Sequence, residues 1–281
     1  MYLYADDANI TIVGKKQEEV ELTAFISLLT VNEFLNDKNL LLNINKSNFV
    51  SFETKQARSK FEPNIFLEDS KLNQLDSTKF LGLILDKNLS WNEHVSSVVK
   101  KMSSGLFALR QMSKVCSIET LKAIYFSMVN SHMAYNICIY GATSKSNLDS
   151  ILLQQKKALR IIFNRKQRDT VRPYFSQLGV LTVYGLYIYE TILYVKKNNS
   201  TISNLNRHSY DTRSKRYVDQ HRLKVYEQKT NFIGTKFLFN LPNNIKFEKN
   251  HNQFKKLLKS FLIDLTPYSI EEFLNLDSNT S

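Results

Sequence analysis

The prevailing spacing of the apolar residues in this chain changes near Ser90. Before that point most of them occur in short alternating runs, as in residues 9–13. After it they recur every three or four residues, as at Val95, Val98 and Met102. Alternation is typical of strands, and the longer spacing is typical of amphipathic helices. We therefore predict the α+β class, with strands and a helix first and a mainly helical part afterwards.

Residues 1–89 are predicted to open with a β-hairpin. Residues 1–4 and 9–13 have strand character, and Ala5-Asp6-Asp7-Ala8 between them is a turn-forming sequence that places two carboxylates at the tip. Residues 17–36 then have helical spacing, and the predicted helix would pack on one face of a small sheet. Further strands are expected at 40–46, 48–52, 65–67 and 71–72, and another at 78–86 that is interrupted by Gly82.

Residues 90–197 are predicted to form a helical domain. Ser90 and Glu93 have the spacing of a capping box at its start, and three amphipathic stripes follow. Segment 183–195 is apolar almost all round, as expected of a buried helix. The Asn- and Ser-rich segment 198–206 is the best candidate linker, so 198–281 form a third region, with a last helix around 254–262.

The positive charge of the chain is concentrated in its middle. The net charge is +12, with 10 basic and 13 acidic side chains in 1–90, 15 and 5 in 91–197, and 13 and 8 in 198–281. Such a segment is a candidate surface for a polyanion, although a run of charge is also commonly just a solvated face.

Composition excludes several other classes of protein. A hydrophobic content of 43% in 281 residues is enough for folded cores. Two cysteines cannot build a disulfide framework or a four-thiolate zinc site, and no long apolar stretch indicates a membrane span or a secretion signal. We expect an intracellular protein, nuclear or cytoplasmic, with no membrane and no small-molecule cofactor.

The adjacent carboxylates of Asp6 and Asp7 are the first candidates for chemistry. Like charges at a hairpin tip repel each other, and a hard divalent cation such as Mg²⁺ would relieve the repulsion. Two such ions can clamp the oxygens of a phosphoryl transfer. A solvated Asp pair that merely suits the turn is the alternative.

Four motifs follow one another in a specific order along the first hundred residues. They are Tyr4-Ala5-Asp6-Asp7, Leu42-Asn43-x-x-Lys46-Ser47, Lys79-Phe80-Leu81-Gly82-x-x-Leu85-Asp86 and Leu89-Ser90-Trp91-x-x-His94. In order and spacing the chain resembles the reverse transcriptases of non-LTR retrotransposons, particularly the Jockey-like group. Leu153-Gln154-x-x-Lys157-x-x-Arg160-Ile161-Ile162 and His208-x-Tyr210-x-Thr212-Arg213 are similar to segments downstream of the polymerase core in such elements.

The resemblance implies a magnesium-dependent RNA-directed DNA polymerase, a nucleotidyltransferase whose partners are an RNA template and a DNA primer. Asp6 and Asp7 would be catalytic, metal-binding aspartates of the palm. Lys46 would help to protonate the pyrophosphate leaving group, and Phe80, Leu81 and Gly82 would belong to a primer-grip-like hairpin. The alternatives are an ordinary surface lysine at Lys46 and a packed core strand over 80–85.

The resemblance covers only the later part of such a polymerase. Residues 1–89 would be a partial palm and 90–197 a thumb, while only three residues precede Tyr4. Fingers and a further palm aspartate would be needed for catalysis, so we expect a fragment that does not polymerise alone. The alternatives are a non-catalytic module that binds RNA or RNA–DNA duplex, and a product with no selected role.

A thumb would bind the phosphate backbone of the template–primer duplex through its basic side chains. The candidates in its first helix are Lys100, Lys101, Arg110 and Lys114. The denser run, which we rank higher, consists of Lys156, Lys157, Arg160, Arg165, Lys166, Arg168 and Arg172. A later stretch that interleaves rings and cations, as single-strand stacking platforms do, consists of Tyr210, Arg213, Arg216, Tyr217, Arg222 and Tyr226; these tyrosines could equally fill a core.

Overall fold

The computed structural model of the chain describes residues 1–4, 7–54, 62–198 and 224–276. The chain divides into two compact units, Met1–Trp91 and Asn92–Ser281. The first contains short strands and one long helix, and the second is helical throughout its described part. The predicted α+β class is confirmed, and the assignment of the units to a palm and a thumb stays a prediction.

Unit 1, Met1–Trp91, contains one helix and strands that pair only two at a time. Strands β1 and β2, β4 and β5, and β7 and β8 are antiparallel, whereas β3 and β6 are parallel. Among the described residues these pairs are four separate sheets rather than one. The elements are β1 (Tyr2–Tyr4), β2 (Asp7–Asn9), α1 (Gln17–Asp37), a 3-10 turn (Ile44–Lys46), β3 (Asn48–Phe49), β4 (Phe66–Leu67), β5 (Ser70–Lys71), β6 (Asn73–Gln74), β7 (Ser77–Phe80) and β8 (Leu83–Asp86).

The apolar stripe predicted on α1 faces the core of unit 1. Ala24 is buried against Ile65, Leu67 and Leu72. The same side of the helix is held by a hydrogen bond from the Asn64 amide to Glu21 Oε1, at 2.7 Å. The helix predicted over 17–36 is therefore confirmed. Its apolar residues recur on one face, and that face packs against apolar residues of the strand region.

Three of the predicted strands are wrong in form. The strand predicted over 9–13 lies instead at Asp7–Asn9. Residues 40–46 are not a strand, because the Asn43 side chain accepts a hydrogen bond from the Lys46 amide and closes a 3-10 turn. Residues 78–86 are not one strand but the hairpin β7–β8. Its two turn residues, Leu81 (φ 44°) and Gly82 (φ 83°), both have positive φ, as tight hairpin turns of this kind require.

Unit 2, Asn92–Ser281, is a helical assembly in its described residues. The helix α2 is the long amphipathic helix predicted after Ser90, although it begins at Asn92. Later stripes predicted around 121–133, 151–163, 183–195 and 254–262 are all helical. The helices are α2 (Asn92–Met112), α3 (Ile118–Tyr125), α4 (Ser131–Ala134), α5 (Ile137–Tyr140), α6 (Lys145–Ile162), α7 (Arg172–Leu178), α8 (Val183–Lys197), α9 (Thr230–Phe239), α10 (Asn243–Lys246), α11 (His251–Leu265) and α12 (Ile270–Leu274).

A π-helical turn, Phe126–Asn130, joins α3 to α4 without a break. Buried side chains recur at every fourth residue through it, at Leu121, Tyr125, Val129 and Met133. Gly105 of α2 lies directly against the turn, since a Cβ there would be 2.7 Å from the Met128 carbonyl oxygen. The helix α2 can approach this closely only because position 105 has no side chain.

The helices after residue 223 are packed into unit 2. α9 and α11 contact α8, which is the buried helix predicted over 183–195. Lys196 links them further, with its ammonium 2.7 Å from the Glu248 carbonyl oxygen and over the Phe254 ring. The division of the chain into three regions stays a prediction, and most of the linker predicted over 198–206 lies outside the described residues.

Within the residues that the structure covers, no one helix is both long and apolar enough to cross a membrane. The helices α7 and α8 meet that length and composition only when taken together, with a bend of 50° between them.

Candidate functional site

The predicted acidic hairpin opens unit 1. Tyr4 pairs with Asp7 in the antiparallel ladder, so only two residues lie between the paired strands, and Asp7 belongs to the second strand rather than to the turn. The Asp7 side chain is exposed. Asp6, the other predicted catalytic and metal-binding residue, lies outside the described residues.

A metal ion needs more ligands than Asp7. Mg²⁺ prefers octahedral oxygen coordination and is usually held by one or two carboxylates with substrate phosphates and water. In the part of the chain that the structure describes, no three His, Cys, Asp or Glu side chains are grouped as a metal site requires. The described residues therefore do not form a magnesium site by themselves, and the predicted metal role of Asp6 and Asp7 stays a prediction.

Lys46 ends the 3-10 turn that the Asn43 side chain closes. The Asn43 Oδ1 atom accepts from the Lys46 amide at 3.2 Å, and the Ser47 hydroxyl donates to the Asn43 carbonyl oxygen at 3.0 Å. Asn43 and Ser47 of this motif thus have a local structural role, because their hydrogen bonds fix the backbone at Lys46. The Lys46 side chain itself is exposed and available to a ligand.

The residues predicted as a primer-grip-like hairpin do form a hairpin. Phe80 ends β7 and pairs with Leu83, the first residue of β8, so Leu81 and Gly82 form the turn. Phe80 is half-buried and Leu83 is buried. The hairpin interpretation holds here, whereas the alternative of one packed core strand over 80–85 is wrong because Leu81 and Gly82 form a turn. Primer binding stays a prediction.

Asp86 organises the residues between this hairpin and α2, a role that sequence reasoning did not identify. Its carboxylate accepts from the amides of Trp91 (2.8 Å), Ser90 (3.0 Å) and Asn88 (3.2 Å). Partial burial opposes ionisation of Asp86, but these amides outweigh that effect and lower its pKa. The signal available in the sequence was the position of Asp86, an acidic residue four positions before Ser90 and therefore close to the predicted start of the next helix.

We expect Asp86→Ala to lower the free energy of unfolding of unit 1 by about 2 kcal/mol, because three amides lose a charged acceptor. The fluorescence of Trp91, the one tryptophan of the chain, would report unfolding in urea. Since folding lowers the Asp86 pKa, the stabilisation is complete above the ordinary value of 3.8 and is lost as the pH falls through the lower folded value.

The difference between wild type and Asp86→Ala should therefore shrink below pH 3.8. Asp76→Ala is the matched control, since Asp76 is exposed and its carboxylate pairs only with the exposed Lys87 at 2.8 Å among the partners that the structure describes. This control should unfold like the wild type. Equal stability of all three proteins would contradict the role of Asp86.

The predicted basic residues of the first helix of unit 2 face solvent. Lys100, Lys101 and Arg110 lie on α2, and Lys114 follows the helix end. All four side chains are exposed. The opposite face of α2 is buried, so these cations lie where a polyanion could reach them.

Three cations of the denser predicted run, Lys156, Arg160 and Arg172, make contacts within unit 2. The guanidinium of Arg160 donates twice to the Asp169 carbonyl oxygen, at 3.1 and 3.3 Å. Arg172 donates to Glu272 at 2.6 Å and to the Thr266 carbonyl oxygen at 3.0 Å. These contacts tie α6 to the loop after it, and α7 to the C-terminal segment.

Lys156 and Arg172 both lie over the Tyr268 ring, at 4.0 and 4.8 Å from its centroid. Partial burial and the charge of Arg160 lower the pKa of Lys156. Tyr268 was not identified from the sequence, because nothing local relates it to α6. The interaction gives Lys156 and Arg172 a structural role beside any contact with nucleic acid.

The other four members of the denser run remain open to solvent or nearly so. Lys166 and Arg168 are exposed on the loop between α6 and α7, and Lys157 is half-buried on α6. Arg165 is exposed and its guanidinium lies 5.1 Å from the centroid of the Tyr174 ring. The structure thus brings together, at one end of α6, the cations that sequence reasoning ranked highest.

The tyrosine- and arginine-containing stretch predicted from the sequence is almost entirely outside the described residues. Only Tyr226 is described, with its ring 5.7 Å from that of Phe232 and 4.3 Å from the Lys229 ammonium. The stacking-platform prediction for Tyr210, Arg213, Arg216, Tyr217 and Arg222 therefore has no structural description.

Comparison with known proteins gives consistent matches. Over 168 residues, 57% of its length, the chain is 24% identical to the RNA-directed DNA polymerase from mobile element jockey of Drosophila melanogaster and 29% identical to that of Drosophila funebris. Over 163 residues it is 24% identical to a probable RNA-directed DNA polymerase from transposon X-element of Drosophila melanogaster. Its homologues are non-LTR retrotransposon RNA-directed DNA polymerases. The resemblance stated from the motifs is thereby confirmed.

The chain spans less than a fifth of the length of these polymerases: the matches cover 17% of each jockey polymerase and 18% of the X-element polymerase. No family model matches the chain. No solved structure matches it either.

Proposed function

We propose that this chain serves RNA-directed DNA synthesis, with unit 1 carrying the acidic hairpin of the polymerase site and unit 2 binding the template–primer duplex. The observation that carries the proposal is the similarity to jockey and X-element polymerases over 57% of the chain. A free-standing binding module is not favoured, because these relatives are all named as polymerases.

In unit 1, the proposed roles fall on three short segments of the chain. Asp6 and Asp7 would supply carboxylates to a divalent cation, Lys46 would approach the leaving group, and the Phe80–Gly82 hairpin would hold the primer end. The support is local: Asp7 is exposed, Lys46 is exposed on a fixed turn, and Leu81 and Gly82 form a tight hairpin turn.

In unit 2, the proposed partner is the phosphate backbone of an RNA–DNA duplex. The exposed side chains of Lys166 and Arg168 on the α6–α7 loop, together with those of α2, support this role. Lysine and arginine bind phosphates of any sequence, and each contact releases counterions. The expected affinity is therefore independent of sequence and falls steeply with salt.

The 281-residue chain alone is proposed not to polymerise. Phosphoryl transfer depends on positioning and charge neutralisation. The support for this proposal is that the matches cover less than a fifth of the length of the relatives that are named as polymerases.

The test is primer extension and duplex binding by the same purified chain. We expect binding of a mixed-sequence RNA–DNA duplex whose affinity falls linearly with the logarithm of salt concentration, and no extension with Mg²⁺ and deoxynucleotides. Template-dependent extension that is lost on Asp6→Ala would overturn the proposed inactivity. Failure to bind any duplex at low salt would overturn the proposed role of unit 2.

A further inference from the structure

The loop between α6 and α7 is held in one shape by hydrogen bonds to its backbone. Asn164 has positive φ (49°), and the Arg165 amide donates back to the Arg160 carbonyl oxygen at 2.8 Å. The Lys166 amide donates to Asp169 Oδ2 at 2.9 Å, and the Asp169 amide donates to the Lys166 carbonyl oxygen at 3.1 Å. A loop with this many internal bonds presents its side chains in fixed places, which favours binding.

Two stacked aromatic rings and a guanidinium group lie together at this loop. The rings of Phe163 and Tyr174 are stacked, with centroids 4.6 Å apart and planes inclined by 28°. The Arg165 guanidinium lies 5.1 Å from the Tyr174 centroid. Phe163 and Tyr174 are half-buried and Arg165 is exposed, so the stack reaches the surface.

The charge around the stack is positive. Arg165, Lys166 and Arg168 are exposed cations within four residues of each other, and Asp169 is the one acidic side chain of the loop. The Asp169 carboxylate already accepts from the Lys166 amide. Among the described residues, none of the three cations has a salt bridge, so they are available to phosphates.

We propose that the Phe163–Tyr174 stack binds an unpaired nucleobase of single-stranded RNA or DNA. The base takes the layer over Tyr174 that Arg165 now occupies, and Arg165 moves to a flanking phosphate with Lys166 and Arg168. Bases of any identity stack on aromatic rings, and arginine competes for the same faces, so the site is tolerant of sequence. The inference rests on the proposed binding of nucleic acid by unit 2, and it adds a single-strand subsite to the duplex contacts.

The experiment uses an RNA–DNA duplex with a single-stranded template overhang that carries 2-aminopurine, whose fluorescence falls when the base is stacked. We expect wild-type chain to quench this fluorescence at saturation. Tyr174→Leu should lose the quenching and bind the overhang substrate about tenfold more weakly, while its affinity for the blunt duplex stays unchanged. Tyr174→Trp should restore the quenching.

Two further variants separate stacking from charge and from folding. Arg165→Ala should keep the quenching but bind both substrates more weakly, because it removes a phosphate contact and leaves the ring. Tyr194→Leu is the matched control, since Tyr194 is an exposed tyrosine on α8, and should behave as wild type. Circular dichroism on every variant confirms the helical fold.

The outcomes distinguish the two proposals. Duplex binding without any Tyr174-dependent quenching would overturn the base-stacking site and leave the duplex-binding role intact. Absence of binding to both substrates would overturn both. Quenching that requires Arg165 but not Tyr174 would also overturn the site as proposed here.

Discussion

Replacing Gln155 by leucine should strongly destabilise unit 2, lowering its free energy of unfolding by about 3 kcal/mol or more. The Gln155 side chain is fully buried in α6, where its Nε2 atom donates to the Tyr125 hydroxyl at 2.9 Å and to the Leu181 carbonyl oxygen at 3.1 Å. Its Oε1 atom accepts from the Val183 amide at 2.7 Å. Leucine would leave three buried polar groups without this partner, each at about 1–3 kcal/mol.

Urea denaturation followed by far-ultraviolet circular dichroism would measure the loss of the helical signal. Gln154→Leu is the matched control one residue away, because Gln154 is also buried but has no hydrogen bond comparable to those of Gln155 among the described contacts. We expect the control to change the midpoint little. If both variants unfolded at the same urea concentration, the bridging role of Gln155 would be refuted.

Reversing the charge of Lys157, Lys166 and Arg168 to glutamate should lower the affinity for an RNA–DNA duplex about 100-fold or more at low salt. Three phosphate contacts would become repulsive, and each lost contact also reduces the slope of log affinity against log salt by about 0.9. Filter binding or fluorescence anisotropy over a series of salt concentrations would give both quantities.

The comparison variant reverses Lys100, Lys101 and Lys114, which changes the net charge by the same amount because each substitution in either set removes two positive units. These side chains are exposed and lie on or just after α2, and they rank lower as phosphate contacts. We therefore expect a loss of less than about tenfold. Equal losses in the two triple variants would contradict that ranking, because the cations of α2 would then contribute as much as those at the end of α6.

Periodicity predicted α2, the segment from α3 to α4, α6 and α11 because each of them buries an apolar stripe, but it did not predict α7, α9, α10 or α12. It did not predict where local polar contacts redirect the chain. Asn43 turns a predicted strand into a 3-10 turn, and the positive φ of Leu81 and Gly82 folds another into a hairpin. These features depend on single side chains or dihedral angles, which leave no repeating pattern in the sequence.

The candidate site was predictable to the extent that it consists of consecutive residues. Motif order indicated the hairpin with Asp7, and charge density indicated the α6–α7 loop. The partners of these residues were not predictable, since Tyr174 lies nine residues from Arg165 and Tyr268 lies about a hundred residues from Lys156 and Arg172. Contacts between distant segments arise only when the helices pack.

The π-helical turn between α3 and α4 depends on the number of residues in this segment of the chain. A π-helical turn contains one residue more than the α-helical turn it replaces, so removing one residue from Phe126–Asn130 would leave a regular α-helix there. The removal would also shift the Met128 carbonyl group that now lies against Gly105. A substitution of Gly105 and a change in the length of the π-helical turn are therefore expected to disturb the same contact between α2 and the neighbouring helix.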